Sequence, residues 1–292
     1  MNDQDRPIEI EARQRAIVAS PSYLLAEKDV NFLAQPALRP VRMQLELLKP
    51  EMAMFEEKVA STIVLFGGTQ IVERDQAQAR LAQAESALAA APLDERAARD
   101  VDRARRILAK CHYYDAAREF ASLVTAAGQQ DGTIHYVVMT GGGPGIMEAG
   151  NRGAYEAGGK SIGLNIELPA EQMPNPFITP ELCFQFHYFA MRKLHFLLRA
   201  KALIAFPGGF GTLDELFDAL TLRQTRRMQE LPIILFGREY WKHVVDFQFL
   251  ADEGVIADEH LRLIEYAETP REAWEIISRF HAAHHASGLP GS

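Results

Sequence analysis

Five strand-length runs of apolar and β-branched residues punctuate the chain, and most of them stop at glycine. They are Thr62–Phe66 before Gly67-Gly68, Ile134–Met139 before Gly141-Gly142-Gly143, Ser161–Ile166, Ala202–Phe206 before Pro207-Gly208-Gly209, and Leu231–Phe236 before Gly237. Each run gives way to helix-forming sequence. Parallel neighbours need crossover connections, so this alternation predicts an α/β fold: a Rossmann-like, doubly wound parallel sheet with helices on both faces.

Two helical segments exceed that plan. Residues 1–59 mix charge with Pro36, Pro40 and Pro50, and Leu45, Leu48, Met52 and Phe55 recur at helical spacing, which predicts a helical N-terminal extension. Between the first two strands, Gln76–Ala91 and Asp94–Ala127 are rich in Ala, Arg and Glu and break near Pro92. That is too long for one crossover helix, and predicts an inserted helical hairpin at about 76–127. The sheet domain is placed at 60–285, with a last helix from about Pro270 to His285 and a tail at 286–292. His281, His284 and His285 read as part of a solvated helix and are given no metal role.

The composition is that of a globular protein, 48% hydrophobic and 24% charged over 292 residues. Lys and Arg number 31 against 39 Asp and Glu, a formal charge of -8, so a generally basic nucleic-acid or anionic-membrane binder is excluded while a local anion pocket is not. Cys111 and Cys183 are too few for a disulfide framework or a four-ligand zinc site, and predict a reducing, cytoplasmic compartment. The start lacks an apolar signal core and no later run has the length of a membrane helix. A soluble, cytoplasmic protein with no nucleic-acid or membrane partner is expected.

Two glycine loops carry the candidate chemistry. Thr140-Gly-Gly-Gly-Pro-Gly145 leads into Ile146-Met147-Glu148, and Pro207-Gly-Gly-Phe-Gly-Thr212 leads into Leu213-Asp214-Glu215. At the carboxyl edge of a parallel sheet, such turns present backbone N–H groups and helix N-termini to an anion. Gly67-Gly68 reads as a simple tight turn. A dinucleotide is disfavoured, because Glu148 and Asp214 stand where the fingerprint needs a small residue, and no GKS or GKT sequence is present for a P-loop. A mononucleotide or sugar phosphate remains.

The segments Pro207-Gly-Gly-Phe-Gly-Thr-Leu-Asp-Glu215, Met139-Thr-Gly-Gly-Gly-Pro-Gly-Ile-Met-Glu148, Ser161–Pro169, His187-Tyr-Phe-Ala-Met-Arg-Lys193 and Thr221–Thr225 resemble the Lonely Guy family, in its longer bacterial branch. These are phosphoribohydrolases related to AMP nucleosidase and often mislabelled lysine decarboxylases. The resemblance runs from about Thr62 to the region of Trp274. It implies a nucleotide-binding catalytic domain that hydrolyses the N-glycosidic bond of a nucleoside 5'-monophosphate, AMP or a cytokinin riboside 5'-monophosphate, to free base and ribose 5-phosphate. It further implies Glu215 and Arg192 as the catalytic pair. Gly142, Gly143, Gly208, Gly209, Gly211 and Thr212 would hold the phosphate, with Lys193 as a further binding residue. Neither cofactor nor metal is implied, and a homodimer or larger homo-oligomer is.

Each assignment has a plainer counterpart. Thr212-Leu-Asp-Glu215 is also the pattern of a capping box, Asp214 reads as a complement to the helix dipole, and Arg192 fits a surface or ion-paired arginine. His187 and His195 lack the acidic or cysteine partners of a metal site. Phe184, Phe186, Tyr188, Phe189 and Phe196 read as core, or in part as a base-stacking wall. Arg223, Gln224 and Thr225 are either base contacts or surface. The competing function is a non-catalytic nucleotide or molybdenum-cofactor carrier on the same fold. A pyridoxal-phosphate decarboxylase lacks its lysine arrangement, and a pure assembly protein has only the hairpin and the acidic charge in its favour.

Overall fold

Helix follows strand along most of the chain in the computed structural model, which describes residues 6–130, 132, 134–169 and 173–286. Contacts divide the chain into two units, Met1–Lys49 and Pro50–Ser292. The first holds α1 (Arg6–Val18), α2 (Val30–Leu33) and the start of α3 (Arg39–Glu56). In it Asp29 caps α2 by accepting from the Phe32 amide at 2.9 Å, and Arg42 donates to the carbonyls of Leu33 and Gln35 at 2.6 and 2.8 Å.

In the second unit β1 (Thr62–Phe66) precedes α4 (Arg74–Ala90), α5 (Glu95–Leu108), α6 (Cys111–Gly128) and β2 (Val137–Thr140). Next come α7 (Ile146–Glu156), β3 (Ser161–Ile166), β4 (Cys183–Phe186), α8 (Phe189–Leu198), β5 (Ala200–Ala205) and α9 (Phe210–Gln224). The chain continues through β6 (Ile233–Phe236), α10 (Arg238–Val244), α11 (Phe247–Asp252), β7 (Ile264–Ala267) and α12 (Pro270–Ala286). Among the described residues the seven strands form one all-parallel sheet in the order β4-β3-β2-β1-β5-β6-β7. The chain winds outward from β1 to β4 and returns to β5 on the other side of β1, so strand order reverses between β1 and β5. Ligands of such sheets bind beyond the carboxyl ends of the strands at this reversal.

Every residue of β1 is buried, and alternation sends Val64 and Phe66 into one core and Ile63 and Leu65 into the other. The first core is closed by Phe196 of α8, Leu216 and Ala219 of α9, and Trp241 of α10. The second is closed by Tyr114, Phe120 and Val124 of α6, Ile146 and Ala149 of α7, and Ile276 and Ile277 of α12. The doubly wound expectation therefore holds, with helices on both faces.

The inserted segment sorts differently from a single projecting hairpin. The hairpin is α4 with α5, which buries little; α6 is the true crossover, packed against α7 and the sheet. Two strands were missed, β4 and β7, both at sheet edges, where half-burial blurs the apolar run. The run beginning at Ile134 starts its strand only at Val137, because Tyr136 takes the left-handed conformation with φ 55°. Ile134 makes an isolated bridge with Val59 instead. His281 bonds the Lys201 carbonyl at 2.9 Å, so it is not merely solvated. The tail from 287 onward lies outside the described residues.

Candidate active site

Four strands deliver their following loops to one place. A cavity of about 390 Å³ lies beyond the ends of β1, β2, β3 and β5, beside the strand-order reversal. Gly67, Gly68 and Thr69 line it after β1, Gly141 and Gly143 after β2, Asn165 and Ile166 from β3, and Gly209 to Thr212 after β5. Arg192 of α8 and Glu215 of α9 complete the wall with Phe189 and Met147. The Gly67-Gly68 turn, expected to be a simple connection, is therefore part of the cavity; its amide and carbonyl also tie neighbouring loops, Gly68 N–H to the Pro207 carbonyl at 2.9 Å and the Ile146 N–H to the Gly68 carbonyl at 3.2 Å.

Helix α9 begins at Phe210 with Gly209 as its cap, and no side chain caps it. The first amides of a helix have no intrahelical acceptor, so this bare end presents donors and the positive end of the helix dipole beside the cavity. The capping-box reading of Thr212 and Glu215 is overturned by this start. Thr212 stands three residues into the helix rather than before it, and Glu215 has turned to another partner.

That partner is Arg192, whose Nη2 donates to Glu215 Oε1 at 3.0 Å. Both side chains are nearly buried, 11% and 12% exposed, so Arg192 is ion-paired, as one of its plainer readings had it, but is not at the surface. Burial pushes the Glu215 carboxyl up to about 7; Arg192 and Lys193 oppose the rise and Asp214 adds to it. Burial likewise lowers Arg192, against Glu215 and Asp214. The guanidinium lies over the rings of Phe189 at 5.1 Å and Phe196 at 5.7 Å, and its buried Nε has no hydrogen-bond partner among the described residues. Carboxyls raised by burial beside a specific charge partner, in a cavity, concentrate at functional sites.

The six phosphate candidates divide by what surrounds them. A β-carbon at Gly142, where φ is +74°, would meet the Asn165 side chain at 2.6 Å, and one at Gly208 would meet Thr212 Oγ1 at 2.1 Å. Both glycines are demanded by packing, and neither lines the cavity. Gly209 and Gly211 are the reverse. Both line the cavity, and a β-carbon at either would meet nothing within 4 Å. Gly143 and Thr212 line it too.

Lys193 is not brought to the cavity. Its Nζ is held by Asp214 at 2.7 Å, and it lines a separate groove between α8 and α9. Asp214 is thus an ion-pair partner rather than only a dipole complement. Arg223 faces Glu230 at 3.7 Å, Gln224 bonds His260 at 3.1 Å, and the Thr225 hydroxyl bonds the Thr221 carbonyl at 2.7 Å; all three lie beyond the cavity wall. His187 pairs with Glu167 at 2.7 Å and His195 is buried against Phe186, so the two do not converge. Of the aromatic cluster, Phe184, Phe186 and Phe196 are core, while half-exposed Phe189 lines the cavity. Sequence reasoning missed Asn165 and Tyr240, whose hydroxyl donates to the Gly208 carbonyl at 2.6 Å and steadies the second loop.

The chain thus combines a doubly wound parallel sheet with a cavity at its strand reversal, walled by glycine turns and a buried Arg–Glu pair. The family model described as "Possible lysine decarboxylase" matches residues 147–277. This match, over less than half of the chain, agrees with the resemblance of its motifs to the Lonely Guy family. A protein of Oryza sativa subsp. japonica named "Probable cytokinin riboside 5'-monophosphate phosphoribohydrolase" is 28% identical over 62% of this chain and 83% of its own length. The Escherichia coli K12 "Pyrimidine/purine nucleotide 5'-monophosphate nucleosidase" is 31% identical over 50% of this chain and 35% of its own length. A solved structure titled as the molybdenum cofactor binding protein from Rippkaea orientalis is similar at a TM-score of 0.41 and 23% identity, over 57% of this chain and 87% of that one.

Proposed function

We propose that the protein hydrolyses nucleoside 5'-monophosphates at the N-glycosidic bond, releasing the base and ribose 5-phosphate. Water adds across the bond: its hydroxyl goes to the anomeric carbon and its proton ends on the base. The observation that carries this reading is the pair of glycines, Gly209 and Gly211, that face open cavity at a bare helix start within reach of a buried carboxyl. The fold has no steric need for glycine at either position. A ligand that must lie against the backbone does need it, and a phosphate suits the amides there.

With the phosphate held at the start of α9 and by the Gly143 turn, the ribose lies over Glu215. Cleavage develops positive charge on the sugar, and an ionised Glu215 stabilises that charge and orients the attacking water. Arg192 keeps Glu215 ionised more readily than burial alone would and fixes its orientation. Phosphate binding contributes by holding the sugar in reacting geometry rather than by touching the broken bond.

The relatives' names support AMP and cytokinin riboside 5'-monophosphates as first substrates to try. Incubation with AMP, its prenylated form and the other common monophosphates, with chromatography of the released bases, tests the reading. Binding without release would favour the carrier. The apolar groove of about 700 Å³ along Leu194, Leu197, Leu198 and Leu222, beside exposed Phe189, supports a homo-oligomer, which sedimentation tests. The free thiols of Cys111 and Cys183 support a cytoplasmic location.

A further inference from the structure

Behind the turn that follows β2 lies a buried amide that no sequence motif marked. Asn175, only 6% exposed, sends its Nδ2 to the carbonyls of Gly142 at 3.2 Å and Gly143 at 3.1 Å, and to Asn151 Oδ1 at 2.9 Å. Its own backbone N–H also donates to the Gly142 carbonyl, at 2.9 Å, and its Oδ1 accepts from the Phe177 amide at 3.2 Å. Asn151 is fully buried. It accepts from Thr140 Oγ1 at 2.7 Å and donates to Ser161 Oγ at 3.0 Å and the Ile162 carbonyl at 3.3 Å. Thr140 Oγ1 in turn accepts from the Gly142 amide at 3.0 Å. The turn is thereby fastened from behind to β3 and to the segment leading into β4.

The consequence lies in the peptide plane. In a trans peptide the C=O and the following N–H point in opposite directions. Asn175 draws the Gly142 oxygen into the interior, so the Gly143 N–H points the other way, toward the cavity that Gly143 lines. That amide has no acceptor among the described residues. The Gly143 oxygen is drawn inward too, and Pro144 carries no N–H to misdirect. Without the Asn175 side chain the Gly142 oxygen keeps only the Asn175 backbone N–H and the Gly143 oxygen loses this donor, so the turn holds the Gly143 amide less firmly toward the cavity.

We propose that Asn175 is a positioning residue for the substrate phosphate, acting through the Gly143 amide that it turns into the cavity. This rests on the phosphoribohydrolase reading above. The Tyr240 hydroxyl on the Gly208 carbonyl is the matching device on the facing loop.

The test compares wild type, Asn175→Ala, Asn175→Ser and Ser161→Ala. Ribose 5-phosphate affinity is measured by calorimetry and kcat and KM on AMP by base release, with melting curves for each variant. Losing one amide donor to a charged group is worth about tenfold in affinity or more. Asn175→Ala should weaken ribose 5-phosphate by that factor and raise KM. Ser161→Ala, which cuts the same network at its far end, should leave both near wild type. Asn175→Ser offers a hydroxyl in place of Oδ1 as acceptor for the Phe177 amide but is too short to reach both carbonyls, and carries the test should alanine fail to fold. Wild-type affinity in both Asn175 variants overturns the proposal, as does an equal loss in Ser161→Ala, which would mark the network as structural. Wild-type protein that binds neither ribose 5-phosphate nor AMP overturns the functional reading first, and this proposal with it.

Discussion

Arg192 Nη2 and Glu215 Oε1 meet at 3.0 Å where α8 passes α9, and both groups are almost shut off from solvent. Burial and ion pairing act in opposite directions on the carboxyl, and burial prevails, which holds Glu215 near 7 rather than near 4.5. An acid and its conjugate base are thus both accessible near neutral pH.

Glu215→Gln keeps the shape and an acceptor for Arg192 while removing the charge. Base release from AMP should fall at least ~10²-fold, with circular dichroism unchanged. Turnover at the wild-type rate would remove Glu215 from the chemistry.

The pH profile follows from the same group. In the proposed mechanism the ionised form stabilises the sugar cation, so kcat/KM should climb as pH rises through about 7 and then level off. Arg192→Ala removes the neighbour that favours ionisation, so it should move this limb to higher pH as well as lower the plateau. A profile that is flat from pH 5.5 to 8.5 contradicts the assignment.

Stability should show the opposite trend. Below about 4.5 the carboxyl is protonated in folded and unfolded chains alike and costs nothing. Between about 4.5 and 7 the folded protein retains a proton that the unfolded chain has released, so stability falls as pH rises and then stays level. The loss is at most ~3 kcal/mol. Glu215→Gln should lack this part of the slope, and urea denaturation at pH 5 and pH 8 measures the difference.

The glycines separate packing from binding. Gly211→Ala lies in the first turn of α9 with no atom in its way, so it should raise stability by roughly 0.5–1 kcal/mol while weakening ribose 5-phosphate. Gly208→Ala should instead destabilise, since its β-carbon would overlap Thr212 Oγ1. Melting curves with and without the sugar phosphate distinguish the two.

The sheet was legible because its central strands are buried on both faces and so read as uninterrupted apolar runs, as in Thr62–Phe66. The edge strands Cys183–Phe186 and Ile264–Ala267 were not, since half-burial leaves polar residues in the run, Gln185 and Glu265 among them. At the site, glycine turns advertise themselves, but sequence does not say which glycine serves the ligand. Gly208 and Gly209 are adjacent and look alike, yet only one faces the cavity. Lys193 follows Arg192 directly, and a helix turns neighbours about 100° apart, which carries Lys193 to Asp214 and away from the wall. Asn175 was invisible because its role is defined by carbonyls more than thirty residues upstream.

Because each wall of the cavity leaves a different strand, no two of its edges share a backbone segment. Replacing the tip after β3, which brings Leu168 to the wall, need not disturb the tip after β5 or the register beneath either. The fold therefore works as a chassis with exchangeable ends: one tip can vary while Glu215 and the bare start of α9 stay fixed to the frame.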